Sequence, residues 1–139
     1  MAYLLDTNVI SELRKPKPHG AVVAWILEIP EESLFLSAVT LGEIQAGIEI
    51  TRGQDEAKAA EIEHWLDDLA STHNILDASS AIFRRWAQLM HKQTDHHLED
   101  ALIAATALTH DLTVATRNTR DFKSFGVGLI NPFEKPRSD

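Results

Sequence analysis

Apolar positions along the chain switch repeatedly between short continuous runs and helical spacing. Tyr3-Leu4-Leu5 is a run that stops at Asp6, and Val9, Ile10 and Leu13 then recur on one helical face within residues 8–13. This predicts a strand leading directly into a helix. Pro16 and Pro18 interrupt the pattern, and residues 21–29 form a second apolar helix closed by Pro30. Leu34-Phe35-Leu36 predicts a second strand, with Leu41, Ile44 and Ile48 marking the helix behind it. Residues 55–70 gather Ile62, Trp65, Leu66 and Leu69 on one face and acids on the other, as an amphipathic surface helix does. Ile75-Leu76 is a brief third strand, and Ile82, Phe83, Trp86, Leu89 and Met90 define another helix before the polar stretch 92–99. Residues 100–110 are Ala-rich and helical, Leu112-Thr113-Val114-Ala115 is a strand, and residues 127–130 are the last. Strands alternating with helices predict an α/β fold, a parallel sheet covered on both faces.

Composition narrows the classes. A chain of 139 residues that is 44% hydrophobic and 24% charged is expected to form one domain, 1–139, without a disulfide or a structural metal. The pattern contains no internal repeat, low-complexity segment or linker. The absence of cysteine excludes cysteine nucleophiles, thiolate zinc sites and iron–sulfur clusters. The start of the sequence lacks the basic-then-apolar pattern of a signal peptide, and no apolar run is long enough to cross a bilayer, so a cytoplasmic location is expected. Thirteen Lys and Arg against 21 Asp and Glu give a formal charge of −8, which argues against a nucleic-acid coat protein. It leaves a nuclease open, because carboxylates around divalent ions count heavily in the sum and the bound ions reverse their sign.

Four carboxylates fall where this alternation places chemistry. Asp6 ends the first strand, Glu43 lies in the helix after the second, Asp100 opens the Ala-rich helix, and Asp121 follows the strand that leads to Thr116. In a parallel sheet all four point toward the rim beyond the carboxyl ends of the strands, where ligands of open α/β sheets collect. Acids gathered without a matching cation repel one another unless hard cations fill the gap. Mg2+ and Mn2+ suit such oxygen ligands, and the chemistry suggested is hydrolysis of a phosphodiester. Each acid also has a purely structural reading. Asp6 is a good helix N-cap, Thr40-x-x-Glu43 matches a capping box, Asp100 complements a helix dipole, and Asp121 suits a turn. If Ser37 is the cap instead of Thr40, Glu43 lies about a turn into its helix and is free to face inward.

Taken together the segments are more specific. Leu4-Leu5-Asp6-Thr7-Asn8-Val9-Ile10-Ser11-Glu12, Ser37-Ala38-Val39-Thr40-Leu41-Gly42-Glu43-Ile44, Glu99-Asp100-Ala101-Leu102-Ile103-Ala104-Ala105-Thr106-Ala107 and Ala115-Thr116-Arg117-Asn118-Thr119-Arg120-Asp121-Phe122 resemble, in this order, the PIN domain, and most nearly its VapC and FitB toxins. The likeness continues to Ile130-Asn131-Pro132-Phe133. It implies a three-layer α/β/α domain whose acidic pocket binds Mg2+ or Mn2+ and cleaves RNA, as the toxin of a toxin–antitoxin pair does. Asp6, Glu43 and Asp100 match the family's three shared acids and Asp121 the more variable fourth, while Asn118 stands where many relatives carry another acid. Asn8 matches the asparagine beside the first acid, and Thr7 and Thr116 are placed to touch the pocket. The resemblance also implies a homodimer and an antitoxin partner whose basic or aromatic segment fills the acidic groove.

Other features carry weaker signals. His91, His96 and His97 precede Asp100, but a zinc site needs three or four converging ligands and this stretch reads as a solvated loop. Arg14, Lys15, Lys17, Arg117, Arg120 and Lys123 flank the acidic segments and are placed either to hold RNA phosphates or to form a solvated face. Trp25, Trp65 and Trp86 lie on apolar helical faces, which favours packing over base stacking. Two rival classes differ in kind. A haloacid-dehalogenase-like phosphatase also begins with an aspartate after its first strand, but it calls for Asp-x-Asp where this chain has Asp6-Thr7-Asn8. An α/β interaction module would use the acids as caps and as a docking surface, without turnover.

Overall fold

The computed structural model describes residues 1–91 and 98–134. In chain order the elements are β1 (Tyr3–Leu5), α1 (Thr7–Arg14), α2 (Gly20–Glu28), β2 (Leu34–Ser37), α3 (Ala38–Arg52), α4 (Glu56–Thr72), β3 (Asn74–Leu76), α5 (Ser80–Met90), α6 (Leu98–His110), β4 (Thr113–Ala115), α7 (Thr119–Phe122) and β5 (Leu129–Ile130). The five strands form one sheet in the order β3-β2-β1-β4-β5, and every pairing is parallel.

Alternation along the strands sends side chains to two cores. Leu5, Leu34, Leu36 and Ala115 face one layer, with Val9 and Ile10 of α1, Val22 of α2, Ile48 of α3 and Ala59, Leu66 and Leu69 of α4. Leu4, Phe35 and Val114 face the other, packing on Trp86 and Leu89 of α5, on Ala101, Ile103, Ala104 and Ala107 of α6, and on Phe122 and Phe125. Helices therefore cover both faces of the sheet, in three α/β/α layers. The tryptophans behave as packing residues. Trp25 and Trp65 lie against the first core and Trp86 against the second, Trp25 edge-on to Tyr3 with ring centroids 5.0 Å apart.

The connection from β3 to β4 carries the chain across β1, so the strand order reverses between β1 and β4. Crevices open at such a reversal, beyond the carboxyl ends of the strands. Leu5 pairs with Ala115, which puts Asp6 and Thr116 side by side at that edge, and the Asp6 N–H donates to the Ala115 carbonyl at 2.9 Å. Among the described residues no helix is long and apolar enough to cross a membrane.

The last strand is confined to Leu129–Ile130, shorter than expected, and two further departures bear on the site. Helix α6 begins at Leu98, two residues before the Ala-rich pattern, and the short helix α7 follows β4 where only a turn was legible.

Candidate active site

Asp6 is nearly buried and serves two purposes at once. Its Oδ1 accepts from the Thr7 N–H at 2.8 Å, capping α1, so the structural reading of this residue holds. Its Oδ2 accepts from the Thr116 hydroxyl at 2.8 Å and from the Asn8 amide at 3.2 Å. A carboxylate offers about four acceptor positions, so these bonds leave room for a further ligand. Burial pushes the Asp6 carboxyl above its ordinary range, the bonds from Thr116, Thr7 and Asn8 pull it back, and the charge of Asp121 adds to the rise.

Glu43 meets Asp6 through Thr7. Ser37, not Thr40, caps α3, its Oγ accepting from the Val39 N–H at 3.0 Å. The capping-box alternative for Glu43 is thereby removed, and the side chain is free a turn and a half into the helix. The Thr7 hydroxyl lies 3.2 Å from Glu43 Oε1 and 3.2 Å from the hydroxyl of the buried Thr40. One hydroxyl proton serves one acceptor at a time, so when Thr7 donates to Glu43, Thr40 can donate to Thr7. The Glu43 carboxyl is pushed up to about 7, first by burial, then by the charge of Glu99, with Asp6 adding to the rise and Thr7 opposing it. A Glu43–Glu99 hydrogen bond raises it further, since two carboxyls can bond each other only by retaining a proton.

Glu99 is the residue that sequence reasoning missed. It stands in the first turn of α6 beside the half-buried Asp100. Asp121 lies in α7 and is coupled electrostatically to Asp6. Asn118 precedes α7, and its N–H donates to Thr116 Oγ1 at 3.0 Å, tying the loop after β4 to the residue that holds Asp6. Asn8 occupies the place expected beside the first acid, bonded to Asp6, to Thr116 at 3.3 Å and to the backbone of Arg117.

The donors around this site are carboxylates, hydroxyls and an amide, a set suited to a hard cation. Among the described residues, no three acidic or histidine side chains close tightly enough to form a ready-made metal cage. His91 is exposed, and His96 and His97 lie outside the described residues.

Comparison with known proteins fixes the lineage. The PIN domain pattern matches residues 3–127. The chain belongs to the PIN-domain family. The PIN domain here is 37% identical over 136 residues to Toxin FitB of Neisseria gonorrhoeae, covering 94% of this chain and 97% of that protein. It is equally similar to a VapC ribonuclease of Sinorhizobium fredii, 37% over 136 residues with the same coverage. Among solved structures, FitAcB from Neisseria gonorrhoeae superposes with a TM-score of 0.85 at 34% identity, covering 96% of this chain and 99% of that one. A toxin–antitoxin complex from Klebsiella pneumoniae superposes with a TM-score of 0.74 at 29% identity, covering 96% and 100%. Membership in this family disposes of the haloacid-dehalogenase alternative.

Proposed function

We propose that the chain is a metal-dependent endoribonuclease, the toxin of a toxin–antitoxin pair, and that Asp6, Glu43, Asp100 and Asp121 hold its Mg2+ or Mn2+. The observation that carries this reading is the state of Glu43. Thr7 joins the Glu43 carboxyl to Asp6, which Thr116 holds from the other side, and burial first and the charges of Glu99 and Asp6 after it push that carboxyl up to about 7, a setting suited to a cation. Relatives named as a toxin and as a ribonuclease across nearly their whole lengths support the activity.

When bound, the ion activates a water at neutral pH and stabilises the oxygen that leaves the RNA phosphodiester. The chain's own residues prepare for this. Thr116 and Asn8 hold the Asp6 carboxylate with neutral donors, and Thr7 holds Glu43 beside it, so that these carboxylates would hold the ion. An antitoxin is the protein partner, in keeping with the solved toxin–antitoxin complex of similar fold, and its basic segment complements the acidic groove. The protein works as a homodimer in the cytoplasm.

The test is incubation of the purified protein with pooled cellular RNA, in Mn2+ and in excess chelator, with the cut ends mapped. Cleavage in Mn2+, its loss in chelator and its loss in Asp6→Asn are the expected results. Undiminished cleavage in chelator would refute the metal role, and no cleavage of any RNA would leave the acids as a docking surface.

A further inference from the structure

A site with this much negative charge must still admit a polyanion. The formal charge of the chain is −8, and the acids that hold the ion repel every phosphate of the RNA except those the ion contacts. Among the basic residues that flank the acidic segments, Lys15 is already engaged, its Nζ lying 2.7 Å from the nearly buried Glu12 carboxylate. Arg14, Lys17, Arg120 and Lys123 project from exposed positions. Arg117 is exposed as well, but its side chain lies over an aromatic ring.

The backbone of Arg117 is tied to the acids. Its N–H donates to Asn8 Oδ1 at 3.1 Å, and the other end of the same amide donates to Asp6 Oδ2. Its side chain is held too. The guanidinium carbon lies 4.6 Å from the centre of the Phe133 ring, and His19 packs against that ring at 5.4 Å with the planes 62° apart. The charge of Glu12, on the same face of α1 as Asn8, also reaches Arg117 and His19. A guanidinium laid on an aromatic face uses its π surface and leaves its N–H edge directed outward in the plane. Among the described residues that edge carries no hydrogen bond or ion pair. A guanidinium edge is the donor that fits a phosphate in bidentate fashion.

We propose that Arg117, mounted on Phe133, binds the backbone phosphate next to the one cleaved and so sets the position of the RNA on the acids. This rests on the ribonuclease reading and adds to it a substrate-contacting residue outside the acid set. Arg117 meets phosphate and not base, so its contribution is independent of RNA sequence.

The test compares wild type, Arg117→Ala, Arg117→Lys and Phe133→Leu. A fluorescein-labelled 12-nucleotide single-stranded RNA is titrated by anisotropy in Ca2+, from 50 to 200 mM KCl, and cleavage in Mn2+ is followed in parallel. Arg117→Ala should bind roughly tenfold or more weakly, from loss of a charge-assisted contact. Its slope of log affinity against log salt should be shallower by about 0.7, the value for one phosphate on a single strand. Arg117→Lys should keep the slope and lose affinity, and Phe133→Leu should fall between Arg117→Lys and wild type. Cleavage should show a raised KM with kcat largely kept. Melting temperatures of the Arg117 variants should stay close to wild type, so that the loss of affinity reads on RNA contact and not on folding. Unchanged RNA affinity and slope in Arg117→Ala, with or without weakened antitoxin binding, would overturn the assignment while leaving the ribonuclease reading intact. Failure of the wild type to bind or cut any RNA would overturn both.

Discussion

Glu43→Gln separates the energetic burden of the site from its catalysis. The carboxyl titrates near 4.5 in the unfolded chain and at about 7 in the folded one. Below pH 4.5 it is protonated in both states and contributes no difference. Between 4.5 and 7 the native state keeps a proton that the unfolded state releases, so native stability falls as the pH rises, and it levels off above 7. The full shift corresponds to about 3 kcal/mol. The side chain is only partly buried, and screening by water reduces this to about 1–2 kcal/mol. Glutamine accepts the Thr7 bond through its oxygen and donates its amide to Glu99, so the geometry survives without the charge. In chelator, Glu43→Gln should therefore melt with wild type at pH 5 and above it at pH 8, by about 3–8 °C for a chain of this size. Mn2+ should raise the wild-type melting point much more than that of the variant, because the ion binds the folded site and not the unfolded chain. Melting curves at both pH values, with and without Mn2+, decide the matter. The same offset at pH 5 and pH 8, or none at pH 8, would refute the reasoning.

Three further substitutions test the supports of the site. Thr116→Val removes the buried hydroxyl that donates to Asp6 and accepts from Asn118; urea denaturation at pH 8 should show a loss of about 1–3 kcal/mol, smaller at pH 5, where less negative charge needs the donor. Ser37→Ala should cost about 1 kcal/mol through the lost cap of α3, measured the same way, while the capping-box reading would assign that loss to Thr40→Ala by way of a Thr40 cap. Asp111→Gly should gain up to about 1 kcal/mol with cleavage unchanged, because Asp111 holds a left-handed φ of 56° where α6 ends, its neighbour Leu112 donating back to the Ala107 carbonyl at 2.8 Å; Asp111→Val should lose stability.

The alternation of runs and helical faces was enough to place β1, β2, β4 and the helices between them, because burial on one stripe or both faces of an element writes itself into the sequence. Competing local signals were not resolvable in that way. Ser37 and Thr40 are both good caps, and the choice between them depends on where β2 stops, which its parallel pairing with β3 through Ser37 settles. Glu99 was lost for a related reason. The Ala-rich pattern marks α6 only from Asp100 and leaves Glu99 in the preceding polar stretch, whereas a helix from Leu98 brings it near Glu43. Helix α7 is a single turn, too short for periodicity to register, and it is held by the burial of Phe122.

The kind of support given to Asp6 fits the chemistry proposed for it. A buried carboxylate can be stabilised by a cation or by neutral donors, and an arginine or lysine would do so more strongly. Such a partner would fill the space that a metal ion must enter and cancel the charge that attracts it. Thr7, Asn8 and Thr116 instead supply a backbone N–H, an amide and a hydroxyl, none of which carries charge. They fix the direction of the carboxyl and leave its charge, while the carboxyls of Asp6 and Glu43 both stand above their ordinary range. The Arg117 guanidinium lies over Phe133 and makes no ion pair with Asp6 among the described residues. On the proposed reading, neutral donors at the acids and the guanidinium on Phe133 would divide the work between holding an ion and holding the RNA on which it acts.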